Sequence, residues 1–152
     1  MINIYTDGAS RGNPGKGGYG IILQHNKHYK ELSAGYRLTT NNRMELLACI
    51  VALEALKKPN LTISIYTDSK YVVDSINLKW VFAWIKKADF AKKKNKDLWL
   101  RFLAVYKQHQ VTMVWIKGHN QHPQNERCDE LATQAADGDN LLIDEAYENQ
   151  LN

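Results

Sequence analysis

The first twenty residues constrain the fold more than any other part of the chain, because they join an extended segment, a carboxylate and a glycine-rich stretch. Residues 2–6 favour a β-strand, and the glycine, asparagine and proline content of residues 8–15 predicts that the strand ends there. Asp7 is therefore predicted at the carboxyl end of a strand, where open α/β sheets bind ligands. The alternative is an Asx turn, in which an Asp before a Gly satisfies local backbone donors.

Length and composition predict one globular domain that needs no disulfide. The chain has 152 residues, and 44% of them are hydrophobic, which is enough for a substantial core. Cys49 and Cys128 lie outside any zinc-type spacing, which favours reduced thiols and a cytoplasmic location. No apolar run approaches the roughly 20 residues of a membrane-spanning helix, so no membrane partner is expected. The net charge of +4 permits a polyanionic partner without identifying one.

Patterns along the chain predict a three-stranded antiparallel meander followed by alternating helices and strands. After the first strand, extended patterns cover residues 18–24, 29–38, 61–67 and 111–116, and helical patterns cover residues 44–56, 70–85, 97–106 and 125–136. A lysine-rich stretch, residues 86–96, interrupts the helical patterns, and residues 138–152 form an acidic tail whose structure the pattern does not predict.

Chain direction brings carboxylates to one edge of this sheet. A right-handed crossover places strand 61–67 beside the first strand and parallel to it, so Asp68 comes next to Asp7 at about 4.8 Å strand spacing. The long helix begins at the same edge with Glu45. The last predicted helix, which follows strand 111–116, also begins there and carries Asp129.

Each carboxylate also has a purely structural interpretation. Asn42 and Glu45 have the spacing of a capping box, and Asp68 or Ser69 can cap the next helix. Asp129 and its neighbour Glu130 can both be solvated helix residues.

The four acids taken together favour a metal site, because carboxylates packed at one edge repel each other unless cations neutralise them. Carboxylate oxygens select hard cations such as Mg²⁺ or Mn²⁺, and no His/Cys set indicates structural zinc. In a basic chain, such a cluster suits phosphoryl transfer with two metal ions, so the residues favour a nuclease.

Four ordered motifs carry a family resemblance: YTDGASRGNPGKGGYG at 5–20, TTNNRMELLACIVALEAL at 39–56, YTDSKYV at 66–72 and WIKGHNQHPQNERCDELA at 115–132. With them the chain resembles bacterial ribonuclease H of type 1 over nearly its whole length. The resemblance implies an α/β ribonuclease H-like fold over residues 1–137. The implied sheet is five-stranded and mixed, in order 3-2-1-4-5, with only strand 2 antiparallel and helices on its faces.

The resemblance also implies an activity, namely hydrolysis of the RNA strand of RNA/DNA hybrids to leave 5′-phosphate and 3′-hydroxyl ends. The enzyme would be a monomer that uses two magnesium ions, with manganese as a possible substitute. The family's metal-binding carboxylates match Asp7, Glu45, Asp68 and Asp129, which selects Asp129 over Glu130.

A histidine completes the implied catalytic set. His122 matches the family's mobile-loop histidine, which helps product or a proton leave, and His119 is its nearest competitor. Bacterial relatives commonly carry Gly immediately before this histidine, whereas this chain has Gln121, and a Cβ there restricts the loop.

Substrate-binding residues are implied in the same way. Family positions that contact the hybrid match Asn13, Asn41 and Asn42, and a pocket for a DNA phosphate matches Thr40 and Arg43. Amides suit 2′-hydroxyls and base edges, and a guanidinium suits a phosphate; a polar helix cap is the alternative. Family members often have Gln at the position of Lys70. The lysine here predicts that a second phosphate contact replaces an amide contact.

Residues 80–99, which include the lysine-rich stretch, resemble the basic protrusion with which some members hold the hybrid. Trp80 and Trp84 share one helix face and are predicted either to contact DNA sugars or to pack into the core. Two alternatives to the hydrolase stay open: a hybrid-binding module without turnover, and another nuclease of the same fold, such as a resolvase or integrase domain.

Overall fold

The computed structural model describes residues 1–118 and 122–151, and within them the chain forms five strands and six α-helices. The strands are β1 (Ile2–Arg11), β2 (Gly15–His25), β3 (His28–Thr39), β4 (Thr62–Thr67) and β5 (Gln110–Trp115). The helices are α1 (Asn41–Glu54), α2 (Lys70–Asn77), α3 (Trp80–Trp84), α4 (Lys96–Tyr106), α5 (Pro123–Ala136) and α6 (Glu145–Asn149), and Ala88–Lys92 form a 3₁₀-helix.

The five strands form one mixed sheet in the order β3-β2-β1-β4-β5. The pairs β1–β2 and β2–β3 are antiparallel, and the pairs β1–β4 and β4–β5 are parallel. Only β2 therefore runs against the other strands, and the predicted ribonuclease H-like topology is confirmed. The crossover through α1 brings β4 beside β1, as the preference for right-handed connections predicts.

The prediction that β1 ends at Asp7 is wrong. Antiparallel pairing with β2 continues through Asp7, opposite Gly20, to Arg11, opposite Lys16. Only the parallel pairing with β4 stops early, at Tyr5 opposite Tyr66. Asp7 thus lies just beyond the point where β1 and β4 separate, on a strand that its other partner still holds rigid.

Helices cover both faces of the sheet. Successive strand residues point to opposite faces, so Ile4 joins the main core with α1, while Tyr5 packs on the other side with Cys128 of α5. Helix α5 lies close against the backbone of β2, where a Cβ at Gly20 would come within 2.2 Å of the Cys128 carbonyl oxygen. Glycine at this position therefore lets α5, which carries Asp129, approach the sheet.

Helix α1 is buried on nearly all sides between residues 43 and 53, as its apolar pattern predicts. It begins earlier than predicted, because Thr40 is its N-cap: the Thr40 hydroxyl accepts a hydrogen bond from the Arg43 N–H at 3.2 Å. Asn42 is already helical, so the alternative of an Asn42–Glu45 capping box is wrong. The Glu45 carboxylate is consequently not needed to cap α1.

The acidic tail is folded and packs against the end of β3. Leu142 forms a parallel bridge with Tyr36 of β3, and α6 follows. Asp144 is only 8% exposed and accepts a hydrogen bond from the Thr39 hydroxyl at 2.7 Å. In the part of the chain that is described, no helix combines the length and the hydropathy that a membrane crossing needs.

Candidate active site

Three carboxylates meet where β1 and β4 separate. Asp7 is on β1, Glu45 is in the first turns of α1, and Asp68 follows β4 directly. One carboxylate oxygen from each lies within 4.8 Å of those of the other two. Since Asp7 and Glu45 are 6% and 4% exposed, two of these three acids are buried.

Gly8 makes this approach possible. A Cβ at Gly8 would lie 2.4 Å from the Glu45 backbone nitrogen, so only glycine lets α1 come this close to β1. The Gly8 N–H donates to Asp7 Oδ1 at 2.9 Å and also to Glu45 Oε1. One backbone donor therefore holds both buried carboxylates.

Burial makes these carboxyl groups weak acids. The pKa of Asp7 is raised to about 8, first by loss of solvation and then by the Asp68 and Asp129 charges, while hydrogen bonds from the Glu45 side chain and the Gly8 N–H oppose the shift. The pKa of Glu45 is raised well above its ordinary value, first by burial and then by the Asp7 charge. A bound cation would offset both causes, so the donor set fits a hard divalent metal.

The fourth acid lies on the wall of the same cavity. A cavity of about 470 Å³ contains the three carboxylates on one side, and Asp129 of α5 lines it as well, outside the 4.8 Å group. Glu130, the alternative to Asp129, instead accepts a hydrogen bond from Arg127 and pairs with it on the surface.

Comparison with known proteins is consistent with this geometry. The RNase H family model matches residues 1–137. A ribonuclease H from Lachnoclostridium phytofermentans is 55% identical over 157 residues, covering 97% of this chain and 99% of the relative. A ribonuclease H from Rippkaea orientalis is 52% identical over 155 residues, covering 98% and 93%. The chain belongs to the ribonuclease H family.

Solved structures of the family share the fold. LC9-RNase H1, described as a type 1 RNase H with the type 2 active-site motif, superposes with a TM-score of 0.82 at 30% identity, covering 98% of this chain and 79% of that one. LC11-RNase H1 in complex with an RNA/DNA hybrid has a TM-score of 0.72 at 27% identity, covering 90% and 97%. The bacterial, type 1 resemblance carried by the four motifs is thereby confirmed.

His122, the predicted catalytic histidine, is the N-cap of α5, and its catalytic role stays a prediction. Its Nδ1 accepts a hydrogen bond from the Asn125 N–H at 3.3 Å, and its ring centroid lies 5.6 Å from that of Tyr5. Tyr5 in turn stacks on Tyr66 at 4.9 Å. His119 and Gln121 lie outside the described residues.

Three of the predicted substrate-binding residues share the cavity of the carboxylates. These are Asn41, Asn42 and Lys70. Asn13 and Thr40 line a neighbouring cleft of about 570 Å³, which Asn42 also borders. Asn13 Oδ1 accepts a hydrogen bond from the Asn41 N–H at 3.1 Å, and so links the turn after β1 to the start of α1.

Arg43 is not exposed in the way that a residue free to bind a phosphate would be. It is only 2% exposed, and its guanidinium is already bound to two carboxylates. It donates two hydrogen bonds to Asp97 at 2.8 and 2.9 Å and two to Asp144 at 2.7 and 2.9 Å. A further hydrogen bond reaches Asn95 Oδ1 at 3.3 Å. Its predicted contact with a DNA phosphate stays a prediction, and Asp144 is a residue that the sequence patterns did not single out.

The two predicted tryptophans divide between surface and core. Trp80 is 46% exposed, whereas Trp84 packs edge-on against the buried Trp99, with ring centroids 6.0 Å apart. Lys93 Nζ lies 4.0 Å from the Trp84 ring centroid. Both tryptophans line a cavity of about 390 Å³ whose other residues include Lys92, Lys93 and Lys94.

Proposed function

We propose that this chain hydrolyses the RNA strand of RNA/DNA hybrids as an endonuclease. The observation that carries the proposal is the group of Asp7, Glu45 and Asp68, buried in part and opening into a cavity that exposed amides and a lysine also line. Membership of the ribonuclease H family supports the activity, and the hybrid complex of LC11-RNase H1 supports the substrate.

The carboxylates Asp7, Glu45, Asp68 and Asp129 would hold two Mg²⁺ ions, with Mn²⁺ as a possible substitute. Metal bound there would supply activation of a water for in-line attack on phosphorus and stabilisation of the leaving oxygen, with 5′-phosphate and 3′-hydroxyl products. The chain's own part is positioning. The Gly8 N–H fixes the oxygens of Asp7 and Glu45, and β1 holds Asp7 rigid on the side of β2.

Substrate discrimination would come from the groups beside the carboxylates. The exposed amides of Asn41 and Asn42 line the same cavity, where they can reach 2′-hydroxyls and base edges in a wide minor groove. Lys70 adds a positive charge at this site, and His122 begins α5, the helix that carries Asp129. The monomeric state and the cytoplasmic location predicted from the sequence stay predictions.

The decisive experiment uses an end-labelled RNA/DNA hybrid beside matched RNA/RNA and DNA/DNA duplexes, each with and without magnesium. We expect metal-dependent cleavage of the RNA strand of the hybrid alone. Asp7→Asn should abolish cleavage, because it removes a charged metal ligand, while Asp139→Asn, an exposed acid of the tail, should cut like the wild-type protein. Binding of the hybrid without cleavage at any metal concentration would refute the hydrolase and indicate a binding module.

The lysine-rich segment should contribute to affinity through the hybrid's phosphates. Replacing Lys92, Lys93 and Lys94 with alanine should weaken binding and reduce the slope of log affinity against log salt by about one for each phosphate that a lysine no longer neutralises. Filter binding or fluorescence anisotropy from about 50 to 200 mM salt measures this slope. An unchanged slope would show that these lysines are merely solvated.

A further inference from the structure

Trp115, the last residue of β5, makes two contacts at the candidate active site. Register pairs Trp115 with Thr67, so its backbone lies at the end of the β4–β5 ladder, next to Asp68. Its indole Nε1–H donates a hydrogen bond to the Asp68 carbonyl oxygen at 3.1 Å. The side chain of one strand therefore holds the main chain of the other at the point where the carboxylate projects.

The ring face of Trp115 makes the second contact. Lys70 Nζ lies 4.7 Å from the Trp115 ring centroid, which is within the range of a cation–π interaction. Lys70 is exposed and lines the cavity of the carboxylates. A lysine side chain has considerable rotamer freedom, and an aromatic face that holds its ammonium reduces the entropy lost when a ligand binds.

Exposure argues against a role in the core alone. Trp115 is 43% exposed at the end of an edge strand, although tryptophans that serve packing are largely buried, as Trp99 is here at 0%. Both of its specific contacts lead to residues of the candidate site. The arrangement therefore couples a predicted metal ligand to a predicted phosphate ligand through one side chain.

We propose that Trp115 is a positioning residue that orients Asp68 through its indole N–H and presents the Lys70 ammonium, through its ring, to a phosphate of the bound hybrid. This inference rests on the proposed function for the identity of the ligand. It assigns two separable tasks to one side chain, and Phe and Leu substitutions distinguish them. Phenylalanine keeps an aromatic face without the donor, and leucine removes both.

The experiment measures kcat and KM for the hybrid, and also the affinity for the hybrid without divalent metal, where no cleavage occurs. Lys70→Gln should weaken binding about threefold to tenfold, raise KM accordingly and reduce the salt slope by about one. Trp115→Phe should lower kcat about threefold to tenfold through the lost hydrogen bond, with the salt slope unchanged. Lys58→Gln, an exposed lysine after α1, serves as the charge-matched control and should change nothing.

A double-mutant cycle between Trp115 and Lys70 tests whether Trp115 presents the Lys70 ammonium. In a Trp115→Leu background, Lys70→Gln should weaken binding at least twofold less than it does in the wild-type background, because the ammonium has already lost its platform. Equal effects in both backgrounds would overturn the claim that Trp115 presents Lys70. A normal kcat in Trp115→Phe would overturn the claim that it orients Asp68.

Nuclear magnetic resonance keeps this test separate from the proposed function. Ring-current shifts of the Lys70 side-chain protons should be present in the wild-type protein and in Trp115→Phe and absent in Trp115→Leu, with thermal unfolding showing that each variant is folded. If the wild-type protein neither cuts nor binds the hybrid, the proposed function fails, and the shifts still report whether Trp115 holds Lys70. Absence of these shifts in the wild-type protein would overturn the inference whatever the substrate.

Discussion

Gly118 has no side chain, and this leaves room for the carboxylate of Asp68. A Cβ at Gly118 would lie 2.6 Å from Asp68 Oδ2, closer than atoms can approach without movement. In Gly118→Ala the Asp68 carboxylate must therefore turn away from its present position. We expect about a tenfold to hundredfold higher metal requirement, the usual cost of disturbing the surroundings of a ligand, measured as activity against magnesium concentration.

A matched glycine provides the control for this substitution. A Cβ at Gly138 would meet its nearest neighbours at ordinary distances of 3.4 and 3.5 Å, so Gly138→Ala should leave the magnesium dependence unchanged. If Gly118→Ala also has wild-type magnesium dependence, the position of Asp68 in the structure is not the one that binds metal.

The sequence predicted which carboxylates lie close together, because chain direction determines that. It did not predict which residue caps α1, because local backbone geometry determines that. The proximity of Asp7, Glu45 and Asp68 follows from a parallel strand pair and a helix that returns to the same edge, all of which periodicity reveals. The helix cap depends on which residue first leaves extended φ and ψ. Thr40 and Asn42 both have side chains that can cap a helix, and Asn is the more favoured of the two, so residue type alone could not identify Thr40 as the cap.

At the scale of elements, the tail after α5 is fastened to the start of α1 by one buried ion pair. Arg43 and Asp144 have side chains that are 3% and 9% exposed, and two hydrogen bonds join them. Asp144→Asn leaves the buried guanidinium with Asp97 as its remaining charged partner. We expect the free energy of unfolding to fall by about 2–4 kcal/mol, as measured by urea denaturation.

The same tail contains an exposed pair that makes a control. Arg37 and Glu148 are joined at 2.8 Å, but the Arg37 side chain is 56% exposed, so Glu148→Gln should lower the free energy of unfolding much less than Asp144→Asn does. Equal losses in the two variants would show that the Arg43–Asp144 pair contributes no more than a surface pair.

The sequence could not predict this fastening. Arg43 and Asp144 are 101 residues apart, and neither hydrophobic periodicity nor turn chemistry records which distant charges will pair. The family resemblance implies a phosphate ligand at Arg43, and a guanidinium suits that role when its surroundings are unknown. Burial by Asp97 and Asp144 is a property of the assembled fold.

Over the whole molecule, the place of β4 beside β1 was predictable because the first three strands are joined by short hairpins and the crossover to β4 has a fixed handedness, whereas the complete strand order followed from the family resemblance. The length of β1 was not predictable. Glycines in this region favour a turn in the sequence, but in the structure glycines of β1 and β2 leave room for tightly packed helices. In the sequence, the glycine after Asp7 indicated the end of a strand. In the structure, the strand continues through it, and the missing Cβ lets α1 approach β1.

The carboxylate group also affects the stability of the whole molecule. Folding raises the pKa of Asp7 from its ordinary value of 3.8 to about 8. Between these values the folded state binds more protons than the unfolded state, so the free energy of unfolding falls as pH rises. This contribution is fully present below about pH 4 and is lost as pH rises through the folded-state pKa near 8.

Removing the ionisable group should therefore stabilise the metal-free protein at high pH. At pH 8, Asp7→Asn should unfold at a higher temperature than the wild-type protein by about 5 °C, corresponding to a gain on the order of 2 kcal/mol. At pH 4 the two unfolding temperatures should be nearly equal, since Asp7 is then protonated in the folded state. Differential scanning calorimetry in the presence of a chelator measures both differences.

Magnesium should reverse the order of the two proteins at pH 8. A cation that binds only the folded state raises the unfolding temperature with its concentration, and the wild-type protein, which keeps all its carboxylates, should gain more than Asp7→Asn. A metal-free Asp7→Asn protein that is less stable than wild type at pH 8 would contradict the burial of an ionisable Asp7. Because the same buried carboxylates that weaken the metal-free fold would hold the cation, stability without metal and affinity for metal should change in opposite directions.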